Sequence, residues 1–129
     1  MRTADLLMMR LADLLKPHGL SATQYNVLRI LRGAGQDGAS CKDIASRLVT
    51  RDPDITRLMD RLEKRGLLTR DRAPEDRRVV THRLTPAGLK LVNALDAPVE
   101  AAHENAMKHM SKAKLRELVE LLEELRSAL

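Results

Sequence analysis

Between Ser40 and Leu84 the chain spells two short amphipathic helices separated by only a few residues, followed at once by a basic hairpin. That order constrains the fold more than any other feature. Ser40 stands before Cys41 with Asp43 three residues on, and Ile44, Ala45 and Leu48 supply an inner face, so a helix is predicted over 41–48. A turn at Val49-Thr50-Arg51 leads to Asp52-Pro53, an N-cap residue followed by proline at the first helical position. The helix so opened, 53–65, has Ile55, Leu58, Met59 and Leu62 on one face and Thr56, Arg57, Asp60, Arg61 and Lys64 on the other, and Gly66 ends it. Strands are predicted at 67–70 and 78–84, joined by the turn Ala73-Pro74-Glu75-Asp76. Two helices joined by a tight turn, then a hairpin, make a winged helix-turn-helix.

The flanks are helical. Leu7, Met8, Leu11, Leu14 and Leu15 keep helical spacing over 3–16, and Pro17-His18-Gly19 stops that helix. Ser21 and Gln24 form a capping box, with Leu20 and Tyr25 in the staple positions, for a helix running to Gly33. Gly33, Gly35 and Gly38 match G-x-G-x-x-G, but a helix precedes them and no βαβ unit surrounds them, so they are a loop. Thr85-Pro86 opens a long helix carrying Leu89, Val92, Leu95, Val99, Ala102, Ala106 and Met110, with a kink expected at Pro98. Ser111 caps a last helix with the stripe Leu115, Leu118, Leu122 and Leu125. The fold class expected is mainly α with a small β-hairpin wing, one unit over 1–129. Its winged helix covers about 22–85, and the terminal helices lie at about 3–16 and 86–127.

Charge points to the partner. Residues 47–83 hold 11 Lys and Arg against 7 Asp and Glu, which is +4 of the chain's +5. A local cationic footprint suits a polyanion. The only aromatic residue is Tyr25, which argues against folds that stack single-stranded bases on aromatic platforms. A helix with one apolar and one cationic face can dock on a core and still enter the ~12 Å major groove of a duplex. Arginines on a hairpin can probe the minor groove, whose negative potential attracts guanidinium.

Other chemistry is sparse. Cys41 alone excludes an intrachain disulfide, and too few Cys and His converge for a structural zinc site. His103-Glu104 begins an H-E-x-x-H, but position 107 is Met. No catalytic constellation, metal or cofactor is expected. No apolar run approaches the ~18 residues of a membrane span, and the N-terminus is broken by Asp5, Arg10 and Asp13, so a cytoplasmic chain is expected. Two roles are open to His82 on the wing, solvent exposure or a phosphate contact. Cys41 is read as a quiet structural residue; a thiol at a helix N-terminus can have a lowered pKa, which leaves a redox-sensing regulator as an alternative. A protein-interaction module using the Leu-rich terminal helices is another.

The residues also carry a resemblance. Gly19-Leu20-Ser21 with Gln24 to Leu28, Asp43 to Leu48, Thr56 to Leu67, and Asp76-Arg77-Arg78 with Leu84-Thr85-Pro86 and Gly88 resemble the multiple-antibiotic-resistance regulator (MarR) family over nearly the whole chain. The wing signature, D-x-R then L-T-x-x-G, is its most specific part. The resemblance implies a winged-helix transcriptional regulator, usually a repressor, acting on double-stranded DNA as a homodimer held by its terminal helices. It implies release by small phenolic, lipophilic or oxidising signals. It places Arg51, Pro53, Asp54, Thr56, Arg57 and Arg61 on the recognition element, and Arg72, Arg77 and Arg78 on the wing, with Asp76 orienting Arg78. Asp54 could accept from cytosine N4 or serve only as a cap, and Asp52 is read as a cap. Oxidant-sensing members carry their cysteine in the first helix, unlike Cys41. The effector candidates are Met8, Arg10, Leu11, His18 and Tyr25.

Overall fold

The structure, a computed structural model, describes residues 2–48 and 54–129. Helix α1 spans Arg2–Leu15, and a single tight turn, Lys16–His18, ends at Gly19 with φ +67°. Helix α2 spans Ala22–Ala34, α3 Cys41–Arg47 and α4 Ile55–Lys64. Strands β1 (Leu68–Arg72) and β2 (Val80–Leu84) pair antiparallel, and α5 (Pro86–Met107) and α6 (Lys112–Ser127) complete the chain.

Local signals explain most helix starts. The Ser21 hydroxyl accepts from the Gln24 amide at 3.1 Å while the Gln24 side chain accepts from the Ser21 amide at 2.9 Å. Ser40 and Asp43 form a second box, Thr85 accepts from the Gly88 amide, and Ser111 accepts from the Lys114 amide. Helix α4 departs from expectation. It opens at Ile55 with Asp54 as its N-cap, the Asp54 carboxylate accepting from the Arg57 amide at 3.3 Å. The start predicted at Asp52 and Pro53, and the turn at Val49-Thr50-Arg51, lie outside the described residues. Helix α5 runs unbroken through Pro98 and stops at Met107, short of the expected Met110.

The first strand of the wing runs further toward the tip than predicted, and the tip is wider. Asp71 and Arg72 extend β1 by pairing with Thr81 and Val80, and β2 starts at Val80 rather than Arg78. Residues 73–79 form the tip, closed by Ala73 donating to the Val79 carbonyl and Val79 to the Asp76 carbonyl, both at 3.0 Å. A third segment joins the sheet edge. Ala39, leaving the tight turn at 35–38 rather than the loop expected from Gly33, exchanges backbone hydrogen bonds with His82 at 2.8 and 3.0 Å. Gly38 permits this crossing: its φ is +67°, and a Cβ there would sit 2.4 Å from the His82 carbonyl oxygen.

The core gathers at the centre of these elements. Leu28 and Leu31 of α2, Ile44 of α3, Met59 and Leu62 of α4, Leu68 of β1 and Leu95 of α5 are each fully buried. The recognition-helix stripe is therefore inward as predicted, with Ile55 half-buried. Gly88 lets α5 begin hard against the α4–β1 corner, since a Cβ there would lie 2.0 Å from the Leu67 carbonyl oxygen. The terminal helices are different. Leu6, Leu7 and Met9 of α1 and Leu118, Leu121, Leu122 and Leu125 of α6 are exposed, and Leu115 is the only half-buried residue of α6.

Candidate nucleic-acid interface

The outer face of α4 is built by subtraction. With Leu58, Met59 and Leu62 inside, the helical period leaves Thr56, Arg57 and Arg61 outside. The Arg57 guanidinium is 71% exposed and lies 3.2 Å from the Asp54 carboxylate, so one short segment caps the helix and steadies its first arginine. Arg57 and Arg61 line a shallow cleft with Ser21 and Gln24 of α2. Thr56 lies on the other flank, in a cleft shared with Arg78, Val79 and Val80 of the wing. Recognition helix and wing are thus brought together. Arg51 and Pro53 lie outside the described residues.

At the wing tip the Asp76 carboxylate accepts from the Arg78 amide at 3.0 Å and from its Nε at 3.3 Å. The expected contact is present, although Arg78 does not open the second strand as predicted. These residues sit in the tip turn, not on a strand, and the carboxylate reaches two residues ahead as Asp does in turns. The Arg78 side chain is 93% exposed. Arg77 is exposed, and its carbonyl accepts from the Arg72 guanidinium at 2.9 Å. Arg72 is therefore committed to closing the tip.

Several cations escaped the sequence reading. Arg70 on β1 pairs with Asp60 and lies 3.5 Å from Glu63, tying the wing's first strand to the recognition helix. Arg65 donates to the carbonyls of Gly19 at 2.8 Å and His18 at 2.9 Å, tying the end of α4 to the α1–α2 corner. Arg83 donates to the Gln36 carbonyl and to Asp71, each at 2.5 Å. Only Arg70 left a signal: it shares a strand face with Leu68, and a cation on the buried face of a strand needs a partner.

One expectation is overturned, and one alternative loses its basis. His82 is neither solvent-exposed nor free for phosphate. It is 1% exposed, and neither ring nitrogen meets a protein partner. Burial depresses its pKa, Arg70 adds to this, and the Ala39 carbonyl, Glu63 and Asp60 oppose it without prevailing. Cys41 is not activated by its place at a helix start. Burial pushes its thiol pKa up, and Asp60 adds to this against the opposing pull of Arg70, which argues against the redox-sensing alternative.

Among the effector candidates, Met8, Leu11 and Tyr25 line one cavity of about 110 Å³ with Arg29, Val99 and His103. Arg10 and His18 do not join them: Arg10 is exposed on α1, and His18 lends its carbonyl to Arg65. Burial raises the Tyr25 phenol above its ordinary value, and the Arg29 guanidinium sits 5.9 Å from its ring. Among the described residues no helix is long and apolar enough to cross a membrane.

Known proteins share this arrangement. The family model described as MarR family matches residues 20–80. The homoprotocatechuate degradative operon repressor of Escherichia coli is 30% identical over 111 residues, covering 86% of this chain and 74% of that protein. The crystal structure of a MarR transcription factor from Planctomyces limnophilus is 46% identical with a TM-score of 0.75, covering 95% of this chain and 88% of the other. A structure of Bordetella bronchiseptica BpsR, solved for the regulation of its DNA binding by 6-hydroxynicotinic acid, is 26% identical with a TM-score of 0.85, covering 97% and 88%.

Proposed function

The chain belongs to the MarR family of winged-helix transcriptional regulators, and from that premise we propose a ligand-responsive repressor that binds a pseudo-palindromic DNA operator as a homodimer. The observation that carries the DNA reading is the division among its cations. Arg65, Arg70 and Arg83 are spent on internal carbonyls and carboxylates, whereas Arg57, Arg61, Arg77 and Arg78 project from one helix face and the adjacent wing tip. Thr56, Arg57 and Arg61 enter the major groove, and Arg78, held by Asp76, follows the minor groove.

The terminal helices support the homodimer. Helix α6 leaves Leu118, Leu121, Leu122 and Leu125 bare. Its charge is biased along its length, with Lys112, Lys114 and Arg116 against Glu117 in the first half and Glu120, Glu123 and Glu124 against Arg126 in the second. That arrangement opposes the helix dipole. It is favourable when a second α6 packs antiparallel, basic half against acidic half, about a two-fold axis. Half-sites then lie about one helical turn apart. The effector belongs in the cavity of Met8, Leu11, Tyr25 and His103, with Arg29 available to a carboxylate. A small aromatic acid fits that chemistry and matches the ligand class named for BpsR.

The test is binding to duplex DNA from the chain's own upstream region, at two salt concentrations with non-specific competitor. Specific binding that weakens steeply with salt supports the proposal, and Arg57→Ala should then cost roughly 1–3 kcal/mol with the fold intact. Absence of specific binding at low salt refutes it.

A further inference from the structure

His82 is buried at the point where three elements meet, and recognition of DNA gives it no role. Its backbone exchanges both hydrogen bonds with Ala39, which leads into α3. Across the hairpin it stands opposite Arg70 in the strand register, so both side chains leave the sheet on the same face. That face looks onto α4, where Arg70 meets Asp60 and Glu63. The ring borders a cleft of about 560 Å³ that also receives Cys41 and Lys42 of α3, Thr56 of α4 and Arg78 of the wing. The wing can therefore be seated against the helix-turn-helix only with the imidazole enclosed.

We propose that His82 is a positioning residue for the wing: its neutral imidazole seats the wing against the recognition helix, and a proton gained there releases the wing and weakens duplex binding in mild acid. The proposal rests on the reading of this wing as a DNA-binding element.

An enclosed imidazolium lacks the hydration that stabilises it in water. The Ala39 carbonyl favours the charged ring but already accepts from the His82 amide, and neither it nor the ionisable groups facing the ring replace that hydration. Asp60 and Glu63 attract a proton, but Arg70 already neutralises them and itself repels a second cation. Cys41 lines the same cleft as a neutral thiol, and Lys42 and Arg78, which also line it, add positive charge. Burial accordingly holds the His82 pKa below its ordinary 6.5 in the seated state.

The sign follows from linkage. Above pH ~6.5 the imidazole is neutral whether the wing is seated or released, and pH has no effect through this group. Below it, the released state takes up a proton that the seated state refuses. Seating therefore weakens by up to about tenfold per pH unit, until the seated pKa is reached.

Two measurements decide the matter. The first uses the free protein. An NMR titration follows the His82 ring, and amide exchange follows the Ala39 and His82 amides that close the seam. The expected result is a His82 pKa below 6.5, with protection factors at both amides falling as pH drops from 6.5. A His82 pKa at or above 6.5, or protection that does not change with pH, overturns the proposal without touching the DNA reading.

The second uses a duplex selected by the protein from a random-sequence library. The ratio of dissociation constants at pH 5.5 and 7.5 should be several-fold in the wild type and at least threefold smaller in His82→Leu, which keeps His18, His103 and His109. Equal ratios overturn the proposal. His82→Lys, permanently charged, should weaken binding at pH 7.5. If no duplex is retained at any pH the DNA reading fails instead, and the first measurement still judges the latch. It also stands if His82→Leu does not fold.

Discussion

Removing the Asp76 carboxylate separates an ordering role from a purely electrostatic one, because the two predict opposite signs. Asp76 holds Arg78 through two contacts, at 3.0 and 3.3 Å. With the Arg78 side chain 93% exposed, the pair is worth only ~0–1 kcal/mol to stability, so neither Asp76→Ala nor Arg78→Ala should unfold the protein. For binding, a carboxylate ~8 Å from a phosphate repels it by about 0.5 kcal/mol in water, and screening at a Debye length of ~8 Å cuts that to about 0.2 kcal/mol. Ordering a long side chain in advance gains about 0.5–1.5 kcal/mol. Ordering therefore wins by about 0.3–1.3 kcal/mol per wing. Over the two wings of a dimer, Asp76→Ala should weaken binding by roughly 3- to 80-fold. Asp76→Asn keeps an acceptor for the Arg78 amide and should bind more tightly than Asp76→Ala, although both remove the same charge. Arg78→Ala deletes one phosphate contact per wing and should lower the salt slope by about 1.8. Between 50 and 200 mM salt the wild type should then lose about 12-fold more affinity than this variant. Fluorescence anisotropy on a labelled operator duplex at three salt concentrations measures all of this. Tighter binding by Asp76→Ala, or an unchanged slope for Arg78→Ala, would refute the reasoning.

Other outcomes follow from packing and charge. Gly88→Ala sets a methyl 2.0 Å from the Leu67 carbonyl oxygen, a clash between backbones that no side-chain rotation relieves; urea denaturation should show a loss of about 3 kcal/mol or more. The double variant Leu118→Glu/Leu122→Glu places charge on the bare face of α6 and should yield a monomer in sedimentation, with specific DNA binding lost. Arg32 hydrogen-bonds both carboxylate oxygens of Asp96, at 2.7 and 3.0 Å, and holds that carboxyl below its ordinary 3.8. A depressed carboxyl contributes stability above pH ~3.8 that is lost as pH falls through the folded value, so Arg32→Met should flatten the acid limb of the stability curve below pH 4.

The sequence was informative wherever the deciding interaction is local. Ser21 with Gln24, Ser40 with Asp43, Thr85 before Pro86 and Ser111 each act within three residues, and each opens a helix where its spacing says. The inner stripe of α4 followed from the helical period alone. Ambiguity arose where two local answers compete. Asp52 and Asp54 are both competent caps by type; Asp54 caps α4, and Asp52 lies outside the described residues. What stayed hidden is long-range. Arg65 reaches carbonyls at His18 and Gly19, and Arg83 reaches Gln36, and no period or motif encodes such contacts. His82 was misjudged because a hairpin strand usually has one wet face. Here Ala39 pairs along its outer edge, and α3 and α4 cover the face that carries the ring. The lowered thiol pKa considered for Cys41 is absent because a helix of one or two turns offers a weak dipole, and burial outweighs it.

The cations pinned inside the fold govern what the outward-facing ones can do. Arg70 fixes the angle between α4 and β1, and Arg83 fixes β2 to Asp71 and to the loop before α3. With both in place, Thr56 and Arg78 face one another across a single cleft instead of moving independently. Arg65 extends the same logic to the other end of the recognition helix. Its guanidinium grips the carbonyls of His18 and Gly19, the corner that joins α1 to α2. Helix α1 supplies Met8 and Leu11 to the cavity beside Tyr25, and it carries exposed Leu6, Leu7 and Met9. Any shift of α1 relative to α4 must break those two hydrogen bonds or carry the end of α4 along with it. Interior packing leaves little room for a graded response. On the function proposed above, a change at the cavity or at the terminal helices is expected to reach the outward-facing arginines of α4 through the Arg65 guanidinium.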